Sequence, residues 1–330
     1  MKSIFHKSIL KLASMLSSNI KWHTIQVEGY NVCNLKCKMC PYELMSRKKE
    51  KMSFEFYKRV IDLAENFGIR NVELNFYNEP LLDDLLIERI LYAKAKGMNV
   101  ALSTNGVLLT DEKISMLLEA QPDVITISFD GATKETYEKI RRGGNFEKVK
   151  ENIIKLVNER NRRKSKTKIT ITYTVVEDNF NEIDLFEKSW INIVDEINFW
   201  EADERRGKPL IATTYSYPCY RLLYEGRLIV LSNGKVALCC KDYDGKYSIG
   251  DLNNQSIEDI WNSKKFRWIK NLHYKGEGYK IELCKNCEYL YDYKKWLLAL
   301  LRRIHIEKIV APIGVVLYKK LLQRGWKWLK

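Results

Sequence analysis

The sequence predicts an α/β fold: a parallel sheet of repeated βα units, open or closed as a barrel, followed by a smaller thiol-bearing domain. Three observations carry this. Apolar, β-branched runs alternate with helical patterns between residues 24 and 199. Cys33, Cys37 and Cys40 crowd the segment directly after the first of those runs. Past residue 218 the pattern changes to a short hairpin and a second group of thiols.

The elements follow in order. Strands are expected at "HTIQVEG", "RNVELNF", "MNVALST", "DVITISF", "KITITYTVV" and "VDEINFW", each rich in residues that fit a pleated sheet. Helical spacing runs from Ser53 to Phe67, Leu82 to Lys96, Asp111 to Glu119 and Phe146 to Arg160. Ser53, and Thr110 with Asp111 and Glu112 behind it, read as helix starts. Repeated βα units put chemistry on the loops at the carboxyl ends of the strands, and the three-cysteine segment lies there. Residues 201–218, "EADERRGKPLIATTYSYP", are polar and proline-bearing and read as a connector. "GRLIVLSNGKVALCC" reads as two strands around Asn233-Gly234, both of which tolerate positive φ. A helix from Ser256 to about Ile269 precedes "LCKNC".

At 330 residues, 45% hydrophobic and 30% charged, the chain suits one large and one small globular domain. Its net charge of +14 is uneven. Residues 1–22 carry four Lys and no acid, and residues 294–330 carry ten Lys or Arg against Glu307. The body is near neutral, which argues against a nucleic-acid groove running through it. Eight clustered cysteines without a secretory signal read as metal ligands in a reducing cytoplasm.

A closed structural zinc site takes four ligands. Three thiols leave one metal corner unfilled, which suits a [4Fe–4S] cube with one iron open to a small chelating ligand. A zinc knuckle completed by a distant residue has the same spacing. Of the four His, His23 alone lies near the triplet in sequence.

At these residues a resemblance becomes specific. Cys33, Cys37 and Cys40, as CxxxCxxC after the first strand, resemble the signature of the radical S-adenosylmethionine (SAM) enzymes. "FYNEP" (76–80) resembles the family's GGEP segment, with Tyr77 and Asn78 in place of the glycines. "STNG" (103–106), "ISFDG" (127–131) and "YEKIRRGGNFEKV" (137–149) resemble the segments that follow, and Met39 stands where many members have an aromatic residue. The resemblance implies a partial (βα)6 TIM-like barrel over residues 23–200. It implies a SAM-binding [4Fe–4S] cluster on Cys33, Cys37 and Cys40. It also implies SAM contacts from Asn78, Glu79, Pro80, Ser103, Asn105, Ser128 and Arg141.

The segment from "PCYRLLYEG" to "LCKNC", with its CCxD step and GDL…IWNS run, resembles the family's SPASM/twitch extension. That implies an auxiliary [4Fe–4S] cluster in residues 219–292, on Cys219, Cys239, Cys284 and Cys287. Adjacent residues of a strand point to opposite faces, so one of Cys239 and Cys240 serves. Cys239 is assigned. Cys240 is then a small buried apolar residue or a thiol that returns a hydrogen atom to substrate.

The implied reaction is reductive cleavage of SAM to a 5′-deoxyadenosyl radical, with a flavodoxin or ferredoxin as electron donor. The radical abstracts hydrogen from a carbon of a sugar, aminocyclitol or lipid-linked substrate, which is oxidised or epimerised. Two alternatives stand beside it: a maturase of ribosomally made peptides, and a non-catalytic iron–sulfur or zinc protein at a membrane surface. Residues 1–22 and 293–330 read as basic amphipathic helices. The longest apolar run of the tail, Ile309 to Tyr318, is interrupted by Pro312 and Gly314 and has half the length a membrane span needs. These ends either pack on the fold or attach peripherally to an anionic membrane.

Overall fold

The computed structural model describes residues 21–202, 216–223 and 225–291. Apart from Lys21 and Trp22, the expected basic ends lie outside the described residues, as does most of the connector. The chain divides into two compact units. Among the described residues the larger comprises 21–202 and 226–267, and the smaller 216–223, 225 and 268–291.

All six expected strands form in the larger unit: β1 (Thr24–Val27), β2 (Asn71–Glu73), β3 (Asn99–Thr104), β4 (Val124–Ser128), β5 (Lys168–Val175) and β6 (Glu196–Glu201). Each pairs in parallel with the next. Their alternation gives the sheet two unlike faces. On one, Ile25, Val72, Val100, Leu102, Ile125, Ile127, Ile169 and Ile171 are at most 1% exposed. A Cβ built on Gly106 would meet Val149 and Ile127, so this face carries the helices. The register puts Ser103 opposite Thr126, and Ser128 opposite Thr172, on the other face.

The helices are α1 (Phe54–Phe67), α2 (Leu86–Ala95), α3 (Asp111–Ala120), α4 (Lys134–Ile140), α5 (Phe146–Arg162) and α6 (Ile183–Trp190). Ser53 and Thr110 accept from the backbone N–H three residues on, as helix caps do. Helix α2 starts four residues later than its periodicity suggests. Pro80–Leu82 forms a 3₁₀ turn instead, capped by the Glu79 side chain, and the Asp83 carboxylate takes the Leu85 N–H. Helices α4 and α6 were not anticipated, because seven or eight residues are too few for a clear period.

Strands β7 (Arg227–Val230) and β8 (Lys235–Ala237) form the expected hairpin, and β9 (Gly250–Asp251) pairs with β8. The loop has three residues. The Leu231 N–H donates to the Lys235 carbonyl, and the Gly234 N–H to the Leu231 carbonyl, with Gly234 at φ 85°. β7 also pairs in parallel with β1, so the hairpin extends the barrel sheet. The strand order is 6-5-4-3-2-1-7-8-9, an unclosed sheet.

The helix expected from Ser256 to Ile269 is two, α7 (Ile257–Asn262) and α8 (Lys264–Tyr274). Ser263 between them is extended, and its Oγ accepts from the Phe266 N–H, so one residue ends the first helix and caps the second. Phe266 stacks on Trp22 at 5.1 Å, and Trp261 meets the same indole edge-on at 4.8 Å. This aromatic cluster fixes α7 and the start of α8 beside β1.

Candidate active site

The loop after β1 presents Cys33, Cys37 and Cys40, three of the five thiols of the larger unit. Cys37 is buried, while Cys33 and Cys40 are half-buried. Backbone bonds shape the loop: Cys40 N–H to the Cys37 carbonyl (3.0 Å), Lys36 N–H to Arg142 and Lys38 N–H to Ile140. The Tyr42 hydroxyl accepts from the Cys33 N–H at 2.9 Å, and the Leu35 N–H donates to the Cys33 sulfur at 3.5 Å. Burial, with the charges of Glu79, Cys37 and Cys40 added to it, pushes the Cys33 thiol up to about 11. Thiolates crowded in this way are relieved when metal takes up their charge. Among the described residues no three such side chains stand close enough to share a single metal ion. Three thiolates from one loop are the donor type that an iron–sulfur cluster takes, with one position left open.

Arg141 joins this loop to the sheet. Its Nε donates to Asp130 Oδ2 at 2.5 Å and its Nη1 to the Cys37 sulfur at 3.6 Å. Asp130 is fully buried, and its second oxygen takes the Thr174 N–H at 2.6 Å. The guanidinium therefore neutralises a buried carboxylate and donates to a candidate ligand sulfur, as an outer-shell partner of a metal does.

Glu79, 1% exposed, joins the ends of two further strands. Its carboxylate accepts from Thr104 Oγ1 (2.6 Å), the Asn105 N–H (2.7 Å) and the Leu81 N–H (3.1 Å). Burial holds its carboxyl above the usual range, opposed by those three donors. Asn105 passes the connection on, its Nδ2 donating to Asn34 Oδ1 at 2.8 Å beside Cys33. Asn78 Oδ1 takes the Phe76 N–H at 2.7 Å, closing the turn where the family motif has glycine. Pro80 is buried at the head of the 3₁₀ turn, and Ser103 and Ser128 lie half-buried on the face away from the helices.

The argument that separated Cys239 from Cys240 does not apply. β8 ends at Ala237, and both cysteines lie in the turn beyond it. The Asp242 carboxylate ends the strand by accepting from the Leu238 and Tyr247 N–H groups, while the Asp242 N–H donates to the Cys239 carbonyl. The choice of Cys239 thus rests on the resemblance alone. Half-buried Cys240 packs, with Phe76, on Ile229, Leu231 and Ala237. By register that cluster shares its sheet face with Ser103 and Ser128.

Two anchors of this turn escaped sequence reasoning. The Tyr77 hydroxyl donates to the Cys240 carbonyl at 2.9 Å. Arg47 forms a bidentate pair with Glu28 (2.7 and 2.8 Å) and donates from Nε to the Tyr243 carbonyl. With side chains 6% and 0% exposed, that pair ties the loop after the cysteine triplet to the turn after β8. Nothing in the local sequence marks Arg47 or Glu28. Asp130 lay within the quoted "ISFDG" without being singled out.

Cys219, Cys284 and Cys287 belong to the smaller unit, whereas Cys239 and Cys240 belong to the larger. Cys284 is buried, and burial, with the neighbouring Cys287, pushes its thiol up to about 12. Fully buried His273 places Nε2 at 3.7 Å from the Cys284 sulfur. Burial draws its imidazole down to about 4.

A family model described as "Radical SAM superfamily" matches residues 27–186, and one described as an iron–sulfur cluster-binding (SPASM) domain matches residues 218–288. The chain belongs to the radical SAM superfamily. It is 22% identical to the tungsten-containing aldehyde ferredoxin oxidoreductase cofactor-modifying protein of Pyrococcus furiosus, covering 77% of this chain and 84% of that protein. It is 23% identical to the S-adenosyl-L-methionine-dependent 2-deoxy-scyllo-inosamine dehydrogenase of Niallia circulans, covering 82% and 96%. The crystal structure of BtrN in complex with AdoMet and 2-DOIA shares the fold, with a TM-score of 0.53 at 20% identity over 80% of this chain and 92% of that one. As a radical SAM protein with a SPASM extension, the chain uses S-adenosylmethionine and [4Fe–4S] clusters as cofactors. Among the described residues no helix is long and apolar enough to cross a membrane.

Proposed function

We propose that this radical SAM enzyme is an oxidoreductase that takes a hydrogen atom from a hydroxyl-bearing carbon of a small polyhydroxylated substrate, a sugar or an aminocyclitol. The observation that carries the reading is the inner sheet face, where Thr126, Thr170, Thr172 and Asn198 share one side by register. Such side chains exchange hydrogen bonds with hydroxyl groups, and the charges on the same face are paired with one another, Lys168 with Glu196 and Arg227 with Glu73. The similarity to a dehydrogenase across nearly its full length supports the same reading.

When bound, the clusters and SAM supply the hydrogen-abstracting radical and an exit for the second electron. The chain's own residues hold and orient. Cys33, Cys37 and Cys40 hold the first cluster and leave one metal position for SAM. Asn78, Pro80, Ser103, Asn105 and Ser128 line the adjoining strand ends as SAM contacts, with Glu79 holding the Asn105 and Leu81 N–H groups from behind. Arg141 donates to Cys37. Ile229, Leu231, Ala237 and Phe76 present an apolar wall that keeps water from a reactive centre.

A second reading, epimerisation, is favoured by Cys240. Its half-buried thiol packs at the same inner face, where an S–H donor would return a hydrogen atom to a substrate radical, the resulting thiyl taking an electron from the flavodoxin or ferredoxin donor and a proton from solvent. One experiment separates the readings. Polyols and aminocyclitols deuterated at each carbinol carbon are incubated with the reconstituted, reduced enzyme and SAM. Deuterium in 5′-deoxyadenosine with a ketone product is the expected result. An inverted centre that disappears in Cys240→Ala establishes epimerisation. Deuterium transfer from peptides and from none of the polyols overturns both.

A further inference from the structure

We propose that His273 is a positioning residue of the auxiliary cluster: its Nε2–H donates a hydrogen bond to the Cys284 sulfur and tunes that sulfur as an iron ligand. The inference rests on the presence of an auxiliary cluster that Cys284 helps to hold.

His273 lies on α8 and is 0% exposed. Its Nε2 is 3.7 Å from the Cys284 sulfur, and its Nδ1 is buried with no hydrogen-bond partner among the described residues. The ring sits in a fitted slot. A Cβ on Gly278 would stand 2.7 Å from its Cε1 and 2.8 Å from its Nδ1, so only glycine leaves room there. A core position meant for packing alone is filled more cheaply by Leu or Phe, because burying a polar ring without partners is costly. What this ring meets with its polar edge is the sulfur of the first cysteine in a CxxC pair.

The unpartnered Nδ1 distinguishes a donor from a ligand. A neutral imidazole carries one proton. Were Nε2 bonded to iron, the proton would sit on Nδ1 and leave a buried N–H with no acceptor, whereas metal-bound histidines almost always donate from the second nitrogen. With the proton on Nε2, a thiolate that can only accept receives it, and Nδ1 keeps a bare lone pair. The second arrangement gives the N–H an acceptor and the thiolate a donor, and leaves buried only an acceptor lone pair. Hydrogen bonds to ligand sulfurs favour the reduced cluster and raise its potential.

The test uses the full chain with Cys33, Cys37 and Cys40 changed to Ala, reconstituted anaerobically so that only auxiliary-cluster signals are read. Iron content and the midpoint potential, followed by electron paramagnetic resonance, are measured with His273 intact, with His273→Phe and with His273→Gln. The expected result is unchanged iron in all three, a lower potential in His273→Phe, and partial recovery in His273→Gln, which retains an N–H. Iron lost from both variants makes His273 a ligand and overturns the proposal, as does an unchanged potential in both. Should the Phe variant fail to fold, the chain with native His273 labelled with ¹⁵N-histidine decides. A weak nitrogen coupling to the reduced cluster is expected, and a strong, directly bonded coupling or none overturns it. Absence of iron from the chain with His273 intact strikes the auxiliary cluster itself, separately from the role of His273.

Discussion

Glu79→Ala removes a carboxylate that holds three donors away from water, and its cost can be worked from those partners. Thr104 Oγ1, the Asn105 N–H and the Leu81 N–H all lose their acceptor in a site 1% exposed. Each orphaned buried donor costs about 1–3 kcal/mol, so the variant is destabilised by about 3 kcal/mol or more before any cavity is counted. Glu79→Gln keeps the shape and one acceptor oxygen. With that oxygen at the Oε1 position, accepting from Thr104 and Leu81, only the Asn105 N–H is orphaned, at a cost of about 1–3 kcal/mol. On the proposed SAM contacts at Asn105 and Pro80, Glu79→Ala is also expected to raise the KM for SAM about tenfold, equivalent to about 1.4 kcal/mol. Urea unfolding gives the stabilities, and 5′-deoxyadenosine formation gives the KM. Equal stabilities for the two variants, or an Ala variant with the native KM, refute the reasoning. The sign with pH follows from burial, which raises the folded carboxyl above its ordinary value of 4.5. The neutral form is favoured in the fold, so this group's contribution is complete below pH 4.5 and is lost as pH rises through the folded pKa. Native protein should therefore lose stability relative to Glu79→Gln as pH rises above that point.

Changing Cys33, Cys37 and Cys40 together to Ala should halve the iron of the reconstituted chain and abolish SAM cleavage, measured by iron assay and chromatography of 5′-deoxyadenosine. The double change Cys284→Ala/Cys287→Ala should remove the other half of the iron while uncoupled SAM cleavage survives. Arg141→Met leaves buried Asp130 with the Thr174 N–H but no cation, and should destabilise by about 3–5 kcal/mol in urea. Adding Asp130→Asn should recover part of that loss, and a double variant as unstable as the single one would show that the pair is not the cause.

Much of the larger unit was legible because its signals are local. The six strands announced themselves as β-branched runs, and Ser53 and Thr110 marked helix starts by side chains that bond three residues on. The thiol triplet was visible for the same reason, since three thiols within eight residues require no knowledge of the fold. Features that turn on a single residue's conformation were harder. Ser263 breaks one apparent helix into two by its extended backbone, although the residues on both sides keep helical spacing.

The sequence by itself determined the class of chemistry and the order of the elements, because soft ligands at short spacing and alternating periodicity act over a few bonds. Only the tertiary structure decided what those elements meet. It laid the hairpin strand Arg227–Val230 beside Thr24–Val27, two hundred residues earlier in the chain. It brought Arg47 to Glu28 and the Tyr243 carbonyl, Arg141 to Asp130 and Cys37, and His273 to Cys284. Each of these contacts depends on the register and packing of several elements at once. A buried charge or imidazole gains its partner from that closure, and neighbours along the chain carry no trace of it.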